Sequence, residues 1–137
     1  MELQCKIAVN ATKESIWPYY ADSDNRPIWE EDLENIVFEG EIKTGTMGRM
    51  KLKNMPEMPF VLTEVIENAS YCDMTDVPGV GQLFFGHKIL QVNGVTYIQH
   101  SVRLEKDELT EEELSFLSGV FADVPCSMLK IKQAVEK

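Results

Sequence analysis

The 137 residues match the size of one domain, and a chain of that length buries roughly two thirds of the surface it exposes when unfolded. Hydrophobic residues make up 44%, and no run approaches the ~18 consecutive apolar residues of a membrane span, which sets that class aside. Thirteen Lys and Arg stand against 23 Asp and Glu, a formal charge of -10 that opposes polyanions and argues against nucleic acid as a partner.

The first residues, Met1 to Lys6, lack the basic region and apolar run of a secretory signal, so a cytoplasmic location is the expectation. Cysteines at 5, 72 and 126 are too scattered for a disulfide framework and read as buried thiols. The acidic residues are clustered. Asp22 to Glu41 holds eight acids against Arg26 alone, and Glu105 to Glu113 holds six against Lys106. Both read as solvated faces, with a protein partner docking on the acidic surface as the alternative.

In chain order, Leu3, Cys5, Ile7 and Val9 alternate along a first strand and share its inward face. Capping residues at Asn10 and Thr12 open a short helix to about Tyr20, which Pro18 keeps short. An irregular piece through Pro27-Ile28-Trp29 leads to a strand over Asn35 to Glu39. Glycines 40, 45 and 48 then punctuate the chain before Met50 to Lys53. Phe60 to Ile66 and Tyr71 to Thr75 read as antiparallel neighbours joined through Glu67-Asn68-Ala69-Ser70. Leu83 to Val92 and Val95 to Leu104 flank Asn93-Gly94, the dipeptide favoured in a type I′ hairpin. That turn predicts a register: His87 opposite His100, Phe85 opposite Val102, and Ile89 opposite Ile98. One face of the hairpin then carries Leu83, Phe85, His87, Ile89, Ile98, His100, Val102 and Leu104, and the other the more polar Phe84, Lys88, Gln99, Ser101 and Arg103.

The last element is a helix. Thr110-Glu111-Glu112-Glu113 is a capping box, with Leu109 and Leu114 spaced as its hydrophobic staple. Leu114, Leu117, Phe121, Val124, Met128, Ile131 and Val135 follow as one apolar stripe that needs a sheet to cover it. Gly119 and Pro125 predict a kink near Val124. The chain reads as a single α+β domain over residues 1–137, about seven antiparallel strands layered on a long C-terminal helix. Closely packed layers make the same pattern, so periodicity alone implies no pocket.

The ordered features resemble the START-related helix-grip superfamily, nearest to its polyketide cyclase/dehydrase-like and lipid-transport-like branch, over residues 3 to 136. They are Ala11 to Trp17 after the opening strand, Trp29 with Leu33 to Gly40, and Gly45-Thr46-Met47-Gly48. Phe60 to Val65, Phe85-Gly86-His87, Thr96 to His100, Val124 to Lys130 and Ala134-Val135-Glu136 complete the set. The resemblance implies a curved sheet around the last helix with a cavity between them for an apolar or amphipathic small molecule. It implies Trp17, Trp29, Phe60, Phe85, Phe121 and Met128 as candidates for the cavity wall, residues equally suited to a core.

No phosphate-loop, dinucleotide, nucleophile-elbow or zinc-helix motif is present, so no cofactor is expected. Glu64 and Asp73 face each other if the connection at 67–70 is short, and read as a solvated pair. Arg49 and Arg103 are either anchors for an acid on a ligand or partners in surface ion pairs. For His87 and His100, three readings remain open: core placement, a ligand-orienting or acid/base pair, or a metal site with Cys5 and Cys72 as the residues to inspect. The function expected is binding or carriage of a small apolar or aromatic ligand bearing one or two polar groups, since the expected lining offers few charges. The alternative is an enzyme of the cyclase/dehydrase-like type using a cavity histidine for proton transfer.

Overall fold

The computed structural model describes residues 1–137. Seven strands, β1 (Glu2–Ala8), β2 (Leu33–Phe38), β3 (Met47–Leu52), β4 (Met58–Ile66), β5 (Ser70–Val77), β6 (Gly81–Val92) and β7 (Val95–Leu104), form one antiparallel sheet in the order β1-β7-β6-β5-β4-β3-β2. Between β1 and β2 run two single-turn helices, α1 (Lys13–Ile16) and α2 (Pro18–Ala21), and a 3-10 turn over Ser23–Ile28. Thr12 caps α1 by accepting from the Ser15 amide, and Pro18 opens α2 at a position where its missing N–H costs nothing.

Asn93 and Gly94 both take positive φ, 52° and 79°, as a type I′ turn requires, and the register follows from it. His87 lies opposite His100, Phe85 opposite Val102 and Ile89 opposite Ile98, as the sequence predicts. On β3, Gly48 is the slot through which two aromatic rings meet. It pairs with Phe38 on one side and Phe60 on the other, whose rings pack edge to face at 5.6 Å. A Cβ there would lie 2.5 Å from the Phe60 ring.

The β4–β5 pairing corrects one expectation. The turn closes on Ile66 and Ser70, which sets Glu64 opposite Cys72, and a register shift between Leu62 and Glu64 then leaves Thr63 without a partner and Asp73 opposite Leu62 and Phe85. Asp73 therefore joins Tyr71 and Thr75 on the buried face, 6% exposed, instead of forming a solvated pair with Glu64.

The C-terminal run breaks where expected, into α3 (Glu111–Phe121) and α4 (Val124–Val135), with Pro125 in the first turn of α4. Thr110 and Glu113 make both bonds of the capping box. By length and composition alone the span Glu111–Val135 is long and apolar enough to cross a bilayer, although it holds no run of ~18 consecutive apolar residues. Here it packs on the sheet, and the break divides two cores. Met128 and Ile131 of α4 join Ile16, Tyr20, Trp29, Leu62, Tyr71 and Ile98 in the larger one. Leu117 of α3 closes the smaller one over Leu83, Val102 and Leu104. Leu114, expected in the stripe, is exposed, whereas Leu109 packs against the smaller core.

Leu117→Ala is expected to cost roughly 2–5 kcal/mol in urea unfolding, as for a fully buried leucine, and Leu114→Ala less than about 1. Equal small losses at both positions would contradict the division of faces.

Candidate functional site

The turn at Asn93-Gly94 brings His87 and His100 onto the concave face, where alternation with Phe85, Ile89, Ile98 and Val102 buries them to 7% and 4% exposure. Their rings stand nearly perpendicular with centroids 4.7 Å apart. Trp29 and Tyr20 close over them from the segment between β1 and β2. The Trp29 ring lies 5.5 Å from each histidine, and its indole N–H donates to the Tyr19 carbonyl at 2.8 Å.

Hydrogen bonds fix one histidine's tautomer. His87 Nδ1 lies 2.7 Å from the Tyr71 carbonyl oxygen, which can only accept, so Nδ1 carries the proton and Nε2 is a lone-pair acceptor. His100 Nε2 bonds the Tyr20 hydroxyl at 2.8 Å, and a hydroxyl serves either tautomer. Burial, with the nearby Arg26 charge, lowers His87 to about 4. Burial, then His87, then Arg26 hold His100 well below the usual histidine value. Both rings are neutral at pH 7.

Beside the pair lies a buried polar cluster that the sequence reading did not anticipate. Arg26, 3% exposed, reaches in from the 3-10 turn and bonds Glu30 at 2.9 Å through Nη2. Its guanidinium carbon lies 4.8 Å from the centroid of Trp29 and 5.2 Å from that of Tyr71. Arg26 Nε and Nη1, Glu30 Oε2, the Tyr71 hydroxyl and Thr75 Oγ1 are buried without a protein partner. Burial pushes the Asp73 carboxyl up to about 7 against the pull of Arg26, and Tyr71 up to about 12. One signal for Arg26 was available, since it is the single base in a run of eight acids.

Two cavities open on this side. One, about 190 Å³, is lined by Trp29, Glu30, Phe85, His87, His100 and Val124 among others. The second, about 380 Å³, is walled mainly by apolar residues, including Met50, Met58, Val77, Leu83 and Phe116. Leu52, Phe85 and Val120 line both. Of the residues proposed for a pocket wall, Trp29, Phe85, His87 and His100 therefore come together. Trp17, Phe60 and Met128 belong to the larger core, and Phe121 packs on the smaller one. Arg49 is 55% exposed beside Glu57, and Arg103 lies over Phe84 on the outer face, so neither reaches the cavities.

Cys5 faces inward opposite His100, whereas Cys72 lies on the outer face with its sulfur 3.9 Å from Glu64. They cannot join the histidines in one ligand set, and no group of three His, Cys, Asp or Glu side chains converges.

Solved structures share this architecture. The chain aligns over 99% of its length with 96% of the Aha1 dimer protein from Colwellia psychrerythraea, at TM-score 0.74 and 16% identity. It aligns over 98% of its length with 97% of Ara h 8.0201, at 0.73 and 14%. For protein MLL2253 from Mesorhizobium loti the TM-score is 0.76 at 9% identity, covering 97% of this chain and 95% of that one. No family model and no curated protein matches the sequence. The chain has the helix-grip fold, a curved antiparallel sheet packed against a C-terminal helix.

The two perturbed groups act on stability in opposite directions. The Asp73 carboxyl is raised on folding, so its contribution is fully present below its unfolded value near 4 and is lost as pH rises through about 7. His87 is depressed, so its contribution is present above ~6.5 and is lost as pH falls through about 4. The stability of Asp73→Asn relative to wild type should therefore grow by roughly 2–3 kcal/mol from pH 5 to pH 8 in urea unfolding. Parallel pH profiles for the two proteins would contradict the burial of this carboxyl.

Proposed function

We propose that this protein binds or carries a compact amphipathic molecule, with its ring or chain in the apolar cavity and its polar end against His87 and His100. The observation that carries the reading is the shared wall. Leu52, Phe85 and Val120 border both the apolar space and the histidine space, so one molecule about as long as a substituted ring can contact both. Burial of apolar surface supplies most of the affinity, and the unprotonated His87 Nε2 selects a hydroxyl or N–H donor.

A second reading, proton transfer on the bound molecule, is supported by one observation. Asp73, with a carboxyl near 7, lies across the sheet from Phe85 and beside the row that carries His87. A carboxyl in that range exchanges protons at neutral pH far better than a histidine near 4.

Binding of a neutral solvatochromic dye such as Nile red, displaced by whatever molecule mass spectrometry finds retained on the purified protein, tests the first reading. His87→Gln is expected to weaken binding of the retained molecule by about 1–3 kcal/mol with little loss of folding. Unchanged affinity with an equal loss of stability would assign His87 to the core instead. Chemical conversion of the retained molecule, abolished by Asp73→Asn while binding persists, would select the second reading.

A further inference from the structure

The histidine cavity has a rim of one charge sign. Glu30, Glu31, Asp32 and Asp123 all line it, and no Lys or Arg does. This departs from the expectation of a lining with few charges. The neighbouring cations are already engaged: Arg26 is bonded to Glu30, and Lys130 is paired with Glu31, on which Lys53 also acts. Asp123 stands at the N-cap of α4 without capping it, so its carboxylate is unused by the fold.

Independent of the acidic rim, the interior of the cavity offers an acceptor that the protein leaves unpaired. His87 is 7% exposed, lines the space, and its Nε2 lone pair has no protein partner. Glu30 also lines it, but its Oε2 is closed off from the space and its Oε1 holds Arg26. Ser101, Ser127 and the second nitrogen of His100 can play either role, so they do not offset this bias. With Glu30 and Glu31 neutralised by those pairs, Asp32 and Asp123 set the sign of the mouth, and a carboxylate would meet these two acids and the His87 lone pair. An ammonium group meets charge of opposite sign at the mouth and an acceptor inside.

We infer that the cavity takes a protonated primary amine on an apolar or aromatic body, an N–H directed at His87 Nε2, Asp32 and Asp123 opposing its charge at the mouth, and its body extending past Phe85 into the apolar space. This rests on the ligand-binding reading above and assigns its ligand class. The rim draws cations toward the mouth and disfavours acids of the same shape.

The test is calorimetric titration at pH 7 with three probes of one shape: 4-phenylbutylamine, 4-phenylbutanol and 4-phenylbutyrate. The amine is expected to bind about tenfold tighter than the alcohol at low salt, with the carboxylate weakest, and its advantage should shrink at about 0.5 M salt. The double variant Asp32→Asn, Asp123→Asn alters exposed side chains and should keep its circular dichroism. It should reduce the amine's advantage about threefold or more and leave the alcohol's affinity unchanged. Binding of the carboxylate as tightly as the amine, or equal losses for all three probes in the double variant, would overturn the inference. Binding of the alcohol with the amine no tighter sinks the amine assignment alone. Failure of all three to bind sinks the assignment and the ligand-binding reading together.

Discussion

The constraint on which the rest depends is the two-residue turn at Asn93-Gly94. Because strand side chains alternate, a slip of one residue between β6 and β7 would put His87 and His100 on opposite faces of the sheet and turn the polar row of one of the two strands inward. These are also the central strands: β7 receives β1 and β6 receives β5, so the register of the hairpin passes to both neighbours. Positive φ at both turn residues, tolerable for Asn and Gly, leaves little choice of alternative loop.

On that frame the segment between β1 and β2 supplies what the sheet cannot. Trp29 and Tyr20 cover the histidines, and Arg26 enters behind them held by Glu30 and two aromatic faces. Burying a guanidinium costs several kcal/mol, and a single ion pair with flanking rings offsets only part of that cost. Unpartnered Arg26 nitrogens and buried hydroxyls of Tyr71 and Thr75 are groups that a packed structural core ordinarily satisfies. Arg26, Glu30 and Tyr71 carry theirs beside the histidines, whereas Thr75 lines the apolar cavity and Ser70 stands at the start of β5. The larger cleft near Lys132 and Asn10, about 730 Å³, is a broad surface feature with no buried polar group of this kind.

Most of the fold was legible because it is written in short-range rules. Alternation gave β1, the Asn-Gly dipeptide gave the hairpin and its register, and the capping box and Pro125 gave the start and the break of the C-terminal helices. The site was legible only where the same rules reach it, at His87, His100 and Phe85. Arg26, Glu30 and Tyr20 lie on short, aperiodic turns, where neither three-and-four nor two-residue spacing reveals which side chain points inward. Asp73 was misjudged because the connection is three residues, 67–69, closing on Ile66 and Ser70, and because the bulge at Thr63 then shifts its pairing by one more residue. Trp17, Phe60, Phe121 and Met128 show the complementary difficulty. A large apolar side chain looks the same in sequence whether it walls a cavity or fills a core, and here Phe60 and Met128 fill a core while Trp17 and Phe121 pack partly buried against one.

The account turns on His87 holding a free acceptor in a cavity that an amphipathic molecule enters. Nitrogen-15 NMR of the imidazole rings, recorded at pH 7 without and with 4-phenylbutanol, measures this directly. The structure requires His87 to carry its proton on Nδ1 in both states, and the account predicts that the bare Nε2 resonance alone moves upfield as it accepts a hydrogen bond from the alcohol. A proton on Nε2 in the free protein, or an Nε2 resonance that stays fixed while the alcohol binds, would contradict it.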